Sequence, residues 1–537
     1  MTRDYRFQTT VEPQKFKQIL SLPGTEWSGL LSAAEFGEIE AKLLVDFILQ
    51  GNPGRAFYLE SKTGDILACC VITQHKALCK EAGVSTIGTV PDPSLFGVNN
   101  ATAIRLSYVF VAKDARGSGL MGVLVPKAIE YTEAEILKKE LAKSSDRKDS
   151  FKLMVQTGGR VDQTLARHYL AKKYVWYLYS AIGLAYTKYG FKAYPLEGYQ
   201  ISLDLARGST GQLVERMLSP DRPTDVGKTL RLLDGKNPQD RNLIDLVLQG
   251  RQLELLTDLN RNVYHSELRG DLHSSLSLTN LSSVLSNCRP GSSSETADIM
   301  AQFKETFLGT TGKRQSSILL LACPKFAILP NLLEIDQKFA GIRKTALKVG
   351  SEENVRYADY YGAVLTNELQ QKSFYILWMS LKGKEFTIVA MGEMKLDMFA
   401  AMAGPRGPRH PGPPRRKSSL TGLNEMGGFN FQDLDLLVNA AVYVARKQAV
   451  GAEGGSVHVN VNDLPTSIPK PVLHDFFLNY LPKAYDSHTE KPISSDGRLV
   501  QVLSFTDMED LPMLRKYGCS SADFELDWVG NSLITWG

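Results

Sequence analysis

A glycine-rich turn between a strand pattern and a long helical pattern constrains the fold of this chain more than any other feature. The run TAIRLSYVFV at residues 102–111 has strand character, Gly117-Ser118-Gly119 follow it, and residues 120–143 have helical spacing. Backbone N–H groups at a helix start lack partners within the helix, and glycines without Cβ atoms let an anion approach them. The sequence therefore predicts a mixed α/β fold with a phosphate-binding turn at this point.

Two common phosphate-binding turns do not fit this pattern. Gly117 to Gly122 spell G-x-G-x-x-G, but a dinucleotide-binding unit needs an acidic residue about 20 positions further on, at the end of the next strand. That position falls at residues 138–142, inside the helix that starts at the turn. A kinase turn needs a V-A-I-K strand and an H-R-D loop downstream, and the chain has neither.

The chain has 537 residues, which is too long for one ordinary core, so two or three domains are expected. Residues 1–205 read as one unit of strands and helices. Residues 206–300 are interrupted by Pro and Gly, and we expect a connecting region that is partly mobile. Residues 301–537 predict a second unit with three strands, a helix, a strand, a helix and a strand, which is the order of the first unit.

One segment of the second unit differs from its counterpart in the first. Where the glycine turn would stand, residues 404–423 read GPRGPRHPGPPRRKSSLTGL. Dense proline is incompatible with a helix or a sheet ladder, so we predict a disordered surface loop over residues 403–425 and no phosphate loop in this unit. Arginines precede Ser418 and Ser419, the pattern that basophilic kinases accept. An exposed basic linker without regulation is the simpler alternative.

Charge, cysteines and hydropathy narrow the class of protein. The formal net charge of +4 is small, and no basic run is long enough for a nucleic-acid footprint. The six cysteines lack Cys/His ligand spacing, so no metal is expected. The apolar windows are too short or interrupted for a membrane span, and the start of the chain lacks a presequence pattern. We expect a cytoplasmic protein, with access to the nucleus left open.

The turn and a second motif together resemble the GNAT superfamily of acetyltransferases. That superfamily carries R/Q-x-x-G-x-G/A between a strand and a helix, matched here by Arg116 to Met121, with Met121 in place of a small residue. It also carries Y-x-K-x-G-F/W after a later strand, matched by Tyr186 to Phe191. The resemblance implies a GNAT fold at the N terminus, a second GNAT-like unit, and acetyl-CoA as co-substrate. It implies that Tyr186 protonates the departing thiolate.

A closer resemblance is to the fungal lysine N6-acetyltransferases of lysine degradation. Its stretches are GTEWSGLLSAAEF, DILACCVITQHKAL, FVAKDARGSGL, LYSAIGLAYTKYGFKAYP and FTDMEDLPMLRKYG. This resemblance implies transfer of an acetyl group from acetyl-CoA to the ε-amine of free L-lysine. The strand end is implied to hold the pantetheine arm and the turn the pyrophosphate. The implied cofactor-binding residues are Val109, Phe110, Val111, Arg116, Gly117, Ser118, Gly119, Leu120 and Met121.

The general base is the catalytic residue that the sequence determines least. A lysine ε-amine has a pKa near 10.4 and must lose a proton before it attacks. The strand before the turn offers no glutamate, and Val71 stands where the family tends to have an acid. His75 is the candidate base, since its intrinsic pKa is suitable. Three functions stay open: acetylation of a small amine, acetylation of protein lysines or N termini, and a non-catalytic coenzyme A fold that serves as a binding or scaffold protein.

Overall fold

The computed structural model describes residues 5–81, 98–143, 151–219, 227–260, 324–381, 385–394, 429–448, 455–465, 468–486, 498–503 and 511–532. The helices are α1 (Pro13–Trp27), α2 (Ala33–Leu49), α3 (Leu120–Lys143), α4 (Phe151–Val155), α5 (Gln163–Leu170), α6 (Ser209–Met217), α7 (Pro238–Asn260), α8 (Leu332–Val349), α9 (Glu352–Tyr357), α10 (Phe431–Gln448), α11 (Lys470–Asp475) and α12 (Leu481–Asp486). A 3-10 helix spans Gly183–Tyr189.

The strands lie in two large sheets and one small hairpin. They are β1 (Tyr5–Thr10), β2 (Gly54–Ser61), β3 (Ile66–Lys80), β4 (Val98–Val111), β5 (Gln156–Thr157), β6 (Arg160–Val161), β7 (Tyr174–Ser180), β8 (Lys192–Ala193), β9 (Gly198–Ser202), β10 (Lys228–Asp234), β11 (Lys325–Ile328), β12 (Tyr360–Asn367), β13 (Lys372–Leu381), β14 (Glu385–Met394), β15 (Ser456–Asn460), β16 (Val500–Leu503), β17 (Leu511–Lys516) and β18 (Asp527–Trp528).

The first sheet carries the glycine turn. Its strand order is β1-β2-β3-β4-β7-β17-β8, with β11 paired to β3 and β18 to β11. Strands β3 and β4 pair antiparallel, whereas β4 and β7 run parallel. Parallel neighbours need a crossover connection, which contains α3. Helix α3 packs on one face of the sheet and α1 and α2 pack on the other.

Helix α2 begins at the N-cap Ser32. The Ser32 hydroxyl accepts a hydrogen bond from the backbone N–H of Glu35, and the Glu35 carboxylate accepts one from the backbone N–H of Ser32. Such a reciprocal pair satisfies two donors that a helix start leaves open. Ala41 and Leu44 of α2 belong to the apolar cluster on this face of the sheet.

The second sheet has the strand order β10-β12-β13-β14-β15-β9-β16. Strands β14 and β15 are its parallel pair, at the same place in the order as β4 and β7. The elements β12, β13, β14, α10, β15, α11 and β16 follow the order predicted for the second unit. The predicted fold class, mixed α/β with two related units, is therefore confirmed. The segment between β14 and α10, which contains the predicted loop 403–425 with Ser418 and Ser419, lies outside the described residues.

Each sheet takes a strand from the other half of the chain. Strand β9 follows β8 in the sequence, yet it pairs with β15 and β16 of the second sheet. Strand β17 follows β16, yet it pairs with β7 and β8 of the first sheet. This reciprocal exchange is the intramolecular counterpart of domain swapping. Neither sheet is complete without residues from both halves.

The predicted boundaries at residues 205 and 301 do not follow the two sheets. Residues 1–205 lack β11, β17 and β18, which belong to the first sheet. The described parts of the predicted connecting region form α6, β10 and α7, and most of their buried apolar side chains belong to the core of the second unit. A strand pattern in a sequence does not name the partner strand, so the exchange was not predicted.

Contact between the first unit and the C-terminal segment can be tested at Gly190. Its φ is +85°, and a Cβ there would lie 3.0 Å from the carbonyl oxygen of Cys519 and 3.0 Å from the carbonyl carbon of Ser520. Gly64 is a matched control, since its φ is +89° and a Cβ would meet no atom within 4 Å. We expect Gly190→Ala to cost about 2–5 kcal/mol of unfolding free energy and Gly64→Ala about 1–2 kcal/mol. Urea denaturation measures both, and equal losses would contradict the packing.

Candidate active site

The parallel strands β4 and β7 separate part of the way along their length. They are paired from Thr102 with Tyr174 as far as Arg105 with Tyr177. Beyond that point β4 continues to Val111, while β7 pairs with β17 on its other side. Backbone groups that have lost a neighbouring strand can bind an extended ligand. The split therefore creates a groove at the end of β4 that leads towards the glycine turn.

A bulge in β4 lies at the edge of this split. Cys69 pairs with Phe110 and Val71 with Ser107, so one residue of β3 faces two of β4. Tyr108 lies in the bulge with φ of +51°, a left-handed backbone conformation that residues other than glycine rarely adopt. Such strain costs of the order of 1–3 kcal/mol and is concentrated at functional sites. The residues predicted to hold a pantetheine arm, Val109 to Val111, follow directly.

The glycine turn has the geometry that an anion needs. Gly117 and Gly119 have φ of +76° and +75°, and a Cβ at either would meet no atom within 4 Å. Helix α3 begins at Leu120, so its unpaired N–H groups lie at the turn. The guanidinium of Arg116 is 2.7 Å from the carboxylate of Glu26. Arg116 therefore forms an ion pair with Glu26, which the sequence did not indicate.

Tyr186 lies in the core on the α3 side of the sheet. It is 6% exposed, and its ring packs against those of Tyr189 and Phe191 at centroid distances of 6.2 and 6.1 Å. Burial, followed by Cys70 and Tyr189, raises the pKa of Tyr186 well above its usual value. The hydroxyl is therefore protonated at neutral pH and can act as a proton donor. Tyr189 has a buried hydroxyl with no hydrogen-bond partner among the described residues.

His75 is buried and forms hydrogen bonds with Thr73 on one side and Glu334 on the other. Its Nε2 is 2.8 Å from Thr73 Oγ1, and its Nδ1 is 2.7 Å from Oε1 of Glu334 in α8. Burial, followed by the positive charge of Arg105, lowers the pKa of His75, whereas Glu334 raises it. The imidazole is therefore neutral at neutral pH. Because an ionised carboxylate only accepts hydrogen bonds, the proton belongs on Nδ1 and Nε2 accepts from Thr73.

A cavity of about 250 Å³ lies beside the split, between α1, α2, residues in the middle of β3 and near the split in β4, and α8. Thr73, Arg105 and Tyr108 line it, together with Trp27 and Glu40 from the helices. Glu40 accepts a hydrogen bond from the Tyr108 hydroxyl. His75 itself is not among the lining residues, so it reaches the cavity through Thr73. Helix α8, whose buried residues belong to the core of the second unit, forms one wall of this cavity.

A larger cavity, of about 820 Å³, lies on the outer side of α3. The 3-10 helix with Lys188 and Tyr189 forms one side, and the segment after β17 forms another. Its basic side chains are those of Lys138, Arg167, Lys188 and Arg515, and Glu133 pairs with Arg515 in its wall. It is large enough for a nucleotide-sized group, since ligand pockets span about 300–1,000 Å³.

The residues that sequence reasoning missed are Thr73, Arg105, Glu40 and Glu334. A signal existed for Arg105, because a charged residue stands alone in the apolar run TAIRLSYVFV. No signal existed for Glu334, which reaches His75 only through the packing of α8 on the first unit. Its position in the sequence is that of an ordinary first-turn acid, and Asn331 caps that helix.

Two features are absent from the described part of the chain. No helix there is long and apolar enough to cross a membrane. No group of three or more His, Cys, Asp or Glu residues there could hold a metal ion.

Comparisons with known proteins find likeness in structure only. No family model and no curated protein sequence matches the chain. Among solved structures it is similar to a tandem GNAT protein from the clavulanic acid biosynthesis pathway (10% identity, TM-score 0.35, 96% of this chain and 99% of that one covered). It is also similar to a GCN5-related N-acetyltransferase from Kribbella flavida (11%, 0.33, 96% and 72%) and to Eis1 from Mycobacterium abscessus (10%, 0.29, 96% and 73%). At such identities and TM-scores these likenesses carry no information on activity.

Proposed function

We propose that the protein is an acetyltransferase that moves the acetyl group of acetyl-CoA to a primary amine. The observation that carries this proposal is the split between β4 and β7, which has the glycine turn at the start of α3 on one side and a cavity lined by β3, β4 and α8 on the other. A two-substrate transfer needs such an arrangement, because the cofactor and the acceptor must meet from separate entrances. A turn used only for helix capping needs neither the split nor the cavity.

The residues present fit acetyl-CoA. The open space at Gly117 and Gly119 lets a pyrophosphate reach the N–H groups at the start of α3. The end of β4 from Val109 to Val111 offers the backbone groups for a pantetheine arm, and Arg116 lies beside it over the ring of Phe110. The cofactor supplies an activated acetyl thioester.

Three residues carry the proton transfers in this proposal. Tyr186 donates its proton to the departing sulfur, because its raised pKa keeps the hydroxyl protonated. Thr73 accepts a proton from the acceptor amine and passes its own to Nε2 of His75. Glu334 holds the imidazole in the tautomer that can accept. A buried amine loses its proton more readily than one in water.

Free L-lysine is the acceptor that we propose, in the cytoplasm and without a resident metal. The cavity of about 250 Å³ has α8 as one wall, and its volume suits one small molecule better than a polypeptide chain. Acetylation of peptides or protein N termini is the second candidate, and it would need α8 to move away from the cavity. The resemblance to the lysine acetyltransferases supports the first candidate.

The cofactor assignment is tested by Gly119→Leu. A leucine side chain at this turn would occupy the space above the helix start, so we expect acetyl-CoA affinity to fall at least about 10-fold. Gly64→Leu is the control, since it places the same residue at a similar φ, in the turn between β2 and β3. Isothermal titration calorimetry measures both. Unchanged affinity in Gly119→Leu would place the cofactor elsewhere.

A further inference from the structure

Arg105 is a buried cation whose hydrogen-bonding groups are satisfied only in part by the described residues. It is 7% exposed, and Nε and Nη1 of its guanidinium have no hydrogen-bond partner among the described residues. A buried charge without partners costs several kcal/mol, so such groups normally have an ion pair or a ligand. Arg105 forms no ion pair within the described part of the chain.

The guanidinium lies at the wall of the cavity beside the split. Arg105 is the last residue of β4 that pairs with β7, so its side chain stands where the two strands begin to separate. Its neighbours are His75 and Tyr177, and Tyr177 forms a hydrogen bond with it. The Glu334 carboxylate lies near the same two residues, but no ion pair joins it to Arg105 within the described part of the chain. Nε and Nη1 of Arg105 therefore remain available to an anion that enters the cavity.

An acidic side chain also lines this cavity. The Glu40 carboxylate lines it and accepts a hydrogen bond from the hydroxyl of Tyr108 in the bulge. A guanidinium and a carboxylate in one small cavity complement a molecule that carries both a carboxylate and an ammonium group. A free amino acid has this charge pattern, whereas a polyamine or an internal peptide lysine lacks the carboxylate.

We propose that Arg105 binds the carboxylate of the acceptor and thereby restricts the acetyltransferase to free amino acids. The planar guanidinium matches a carboxylate in a two-point contact, and charge-assisted hydrogen bonds are the stronger kind. The carboxylate of the acceptor neutralises Arg105, and this fixes the direction in which the acceptor enters. This inference rests on the proposed acetyltransferase function.

Matched pairs of an amino acid and its decarboxylated amine test the assignment. L-lysine and cadaverine differ only in the carboxylate, as do ornithine and putrescine. We expect the wild-type protein to prefer the amino acid of a pair by at least about 10-fold in kcat/KM, since hydrogen bonds to a charged group are strong. In Arg105→Met the ratio of kcat/KM for the amino acid to kcat/KM for its decarboxylated amine falls towards one, through a higher KM for the amino acid. Arg55→Met is the control, since Arg55 lies on β2, which pairs with β3, and stacks on Tyr131; it should keep the preference.

The outcomes separate this inference from the function on which it rests. Equal kcat/KM for both members of each pair in the wild-type protein overturns the carboxylate site and leaves the acetyltransferase standing. If the protein acetylates no amine, both the carboxylate site and the acetyltransferase function are wrong. If Arg105→Met does not fold, the comparison of each substrate pair in the wild-type protein tests the assignment by itself. Lysine amide and lysine methyl ester, which lack the free carboxylate, then serve as additional substrates. A preference that survives in folded Arg105→Met also overturns the assignment.

Discussion

Tyr186→Phe is expected to lower kcat by about 10²–10⁴-fold and to leave acetyl-CoA affinity nearly unchanged. Phenylalanine fills the same place against Tyr189 and Phe191, so the core keeps its packing. The hydroxyl of Tyr186 makes no hydrogen bond within the described part of the chain, so its removal leaves no partner unsatisfied. The change therefore removes a proton donor and little else. Steady-state kinetics and calorimetry on the same preparation separate the two effects.

Tyr189→Phe is the matched control for this result. Tyr189 lies on the same 3-10 helix, and its hydroxyl is buried without a hydrogen-bond partner among the described residues. We expect a small change in kcat for Tyr189→Phe. If Tyr189→Phe abolishes turnover and Tyr186→Phe does not, the proton donor is Tyr189.

Glu334→Gln is expected to lower kcat by about 10²–10⁴-fold, although Glu334 lies in α8 and does not line the cavity. The glutamine amide can donate to Nδ1 of His75, which moves the imidazole proton to Nε2. Nε2 then donates to Thr73 and no longer accepts its proton. A carboxylate that fixes a histidine tautomer has effects of this size in other enzymes.

The pH profile distinguishes this role from a structural one. The pKa of His75 is lowered by burial and by Arg105, so the acid limb of kcat/KM should lie below the usual imidazole pKa of about 6.5. Glu334 raises that pKa, so Glu334→Gln should move the acid limb to still lower pH. Glu35→Gln is the control, because Glu35 also links α8 to the first unit, through Lys348 at 2.7 Å. It should leave both kcat and the limb in place. A limb that does not move in Glu334→Gln contradicts the role of His75.

The sequence predicts the local parts of this fold well. Strand β4, the glycine turn and α3 follow one another directly, so spacing and composition suffice to define them. The N-cap Ser32 and the element order of the second unit follow from equally local patterns. Each of these features depends on neighbours in the sequence, which is the range over which periodicity and capping act.

The remaining features depend on contacts between residues far apart in the chain. The bulge at Tyr108 depends on its register with Cys69 and Val71, and the contact of Glu334 with His75 depends on how α8 packs. Strand β9 pairs with β15 and β16, and β17 pairs with β7 and β8, rather than each with the strands of its own half of the chain. A sequence pattern does not rank such partners, because register and pairing are set by the assembled sheet.

The central claim is that the protein transfers an acetyl group to a small amine in the cavity beside the split. The most direct measurement is mass spectrometry of reactions with isotopically labelled acetyl-CoA and a panel of free amino acids, polyamines and peptides. We predict a labelled acetyl group on the side-chain amine of a free amino acid, foremost L-lysine, and none with Gly119→Leu. Labelling of peptides alone, or tight binding of acetyl-CoA with no labelled amine of any kind, would contradict the claim.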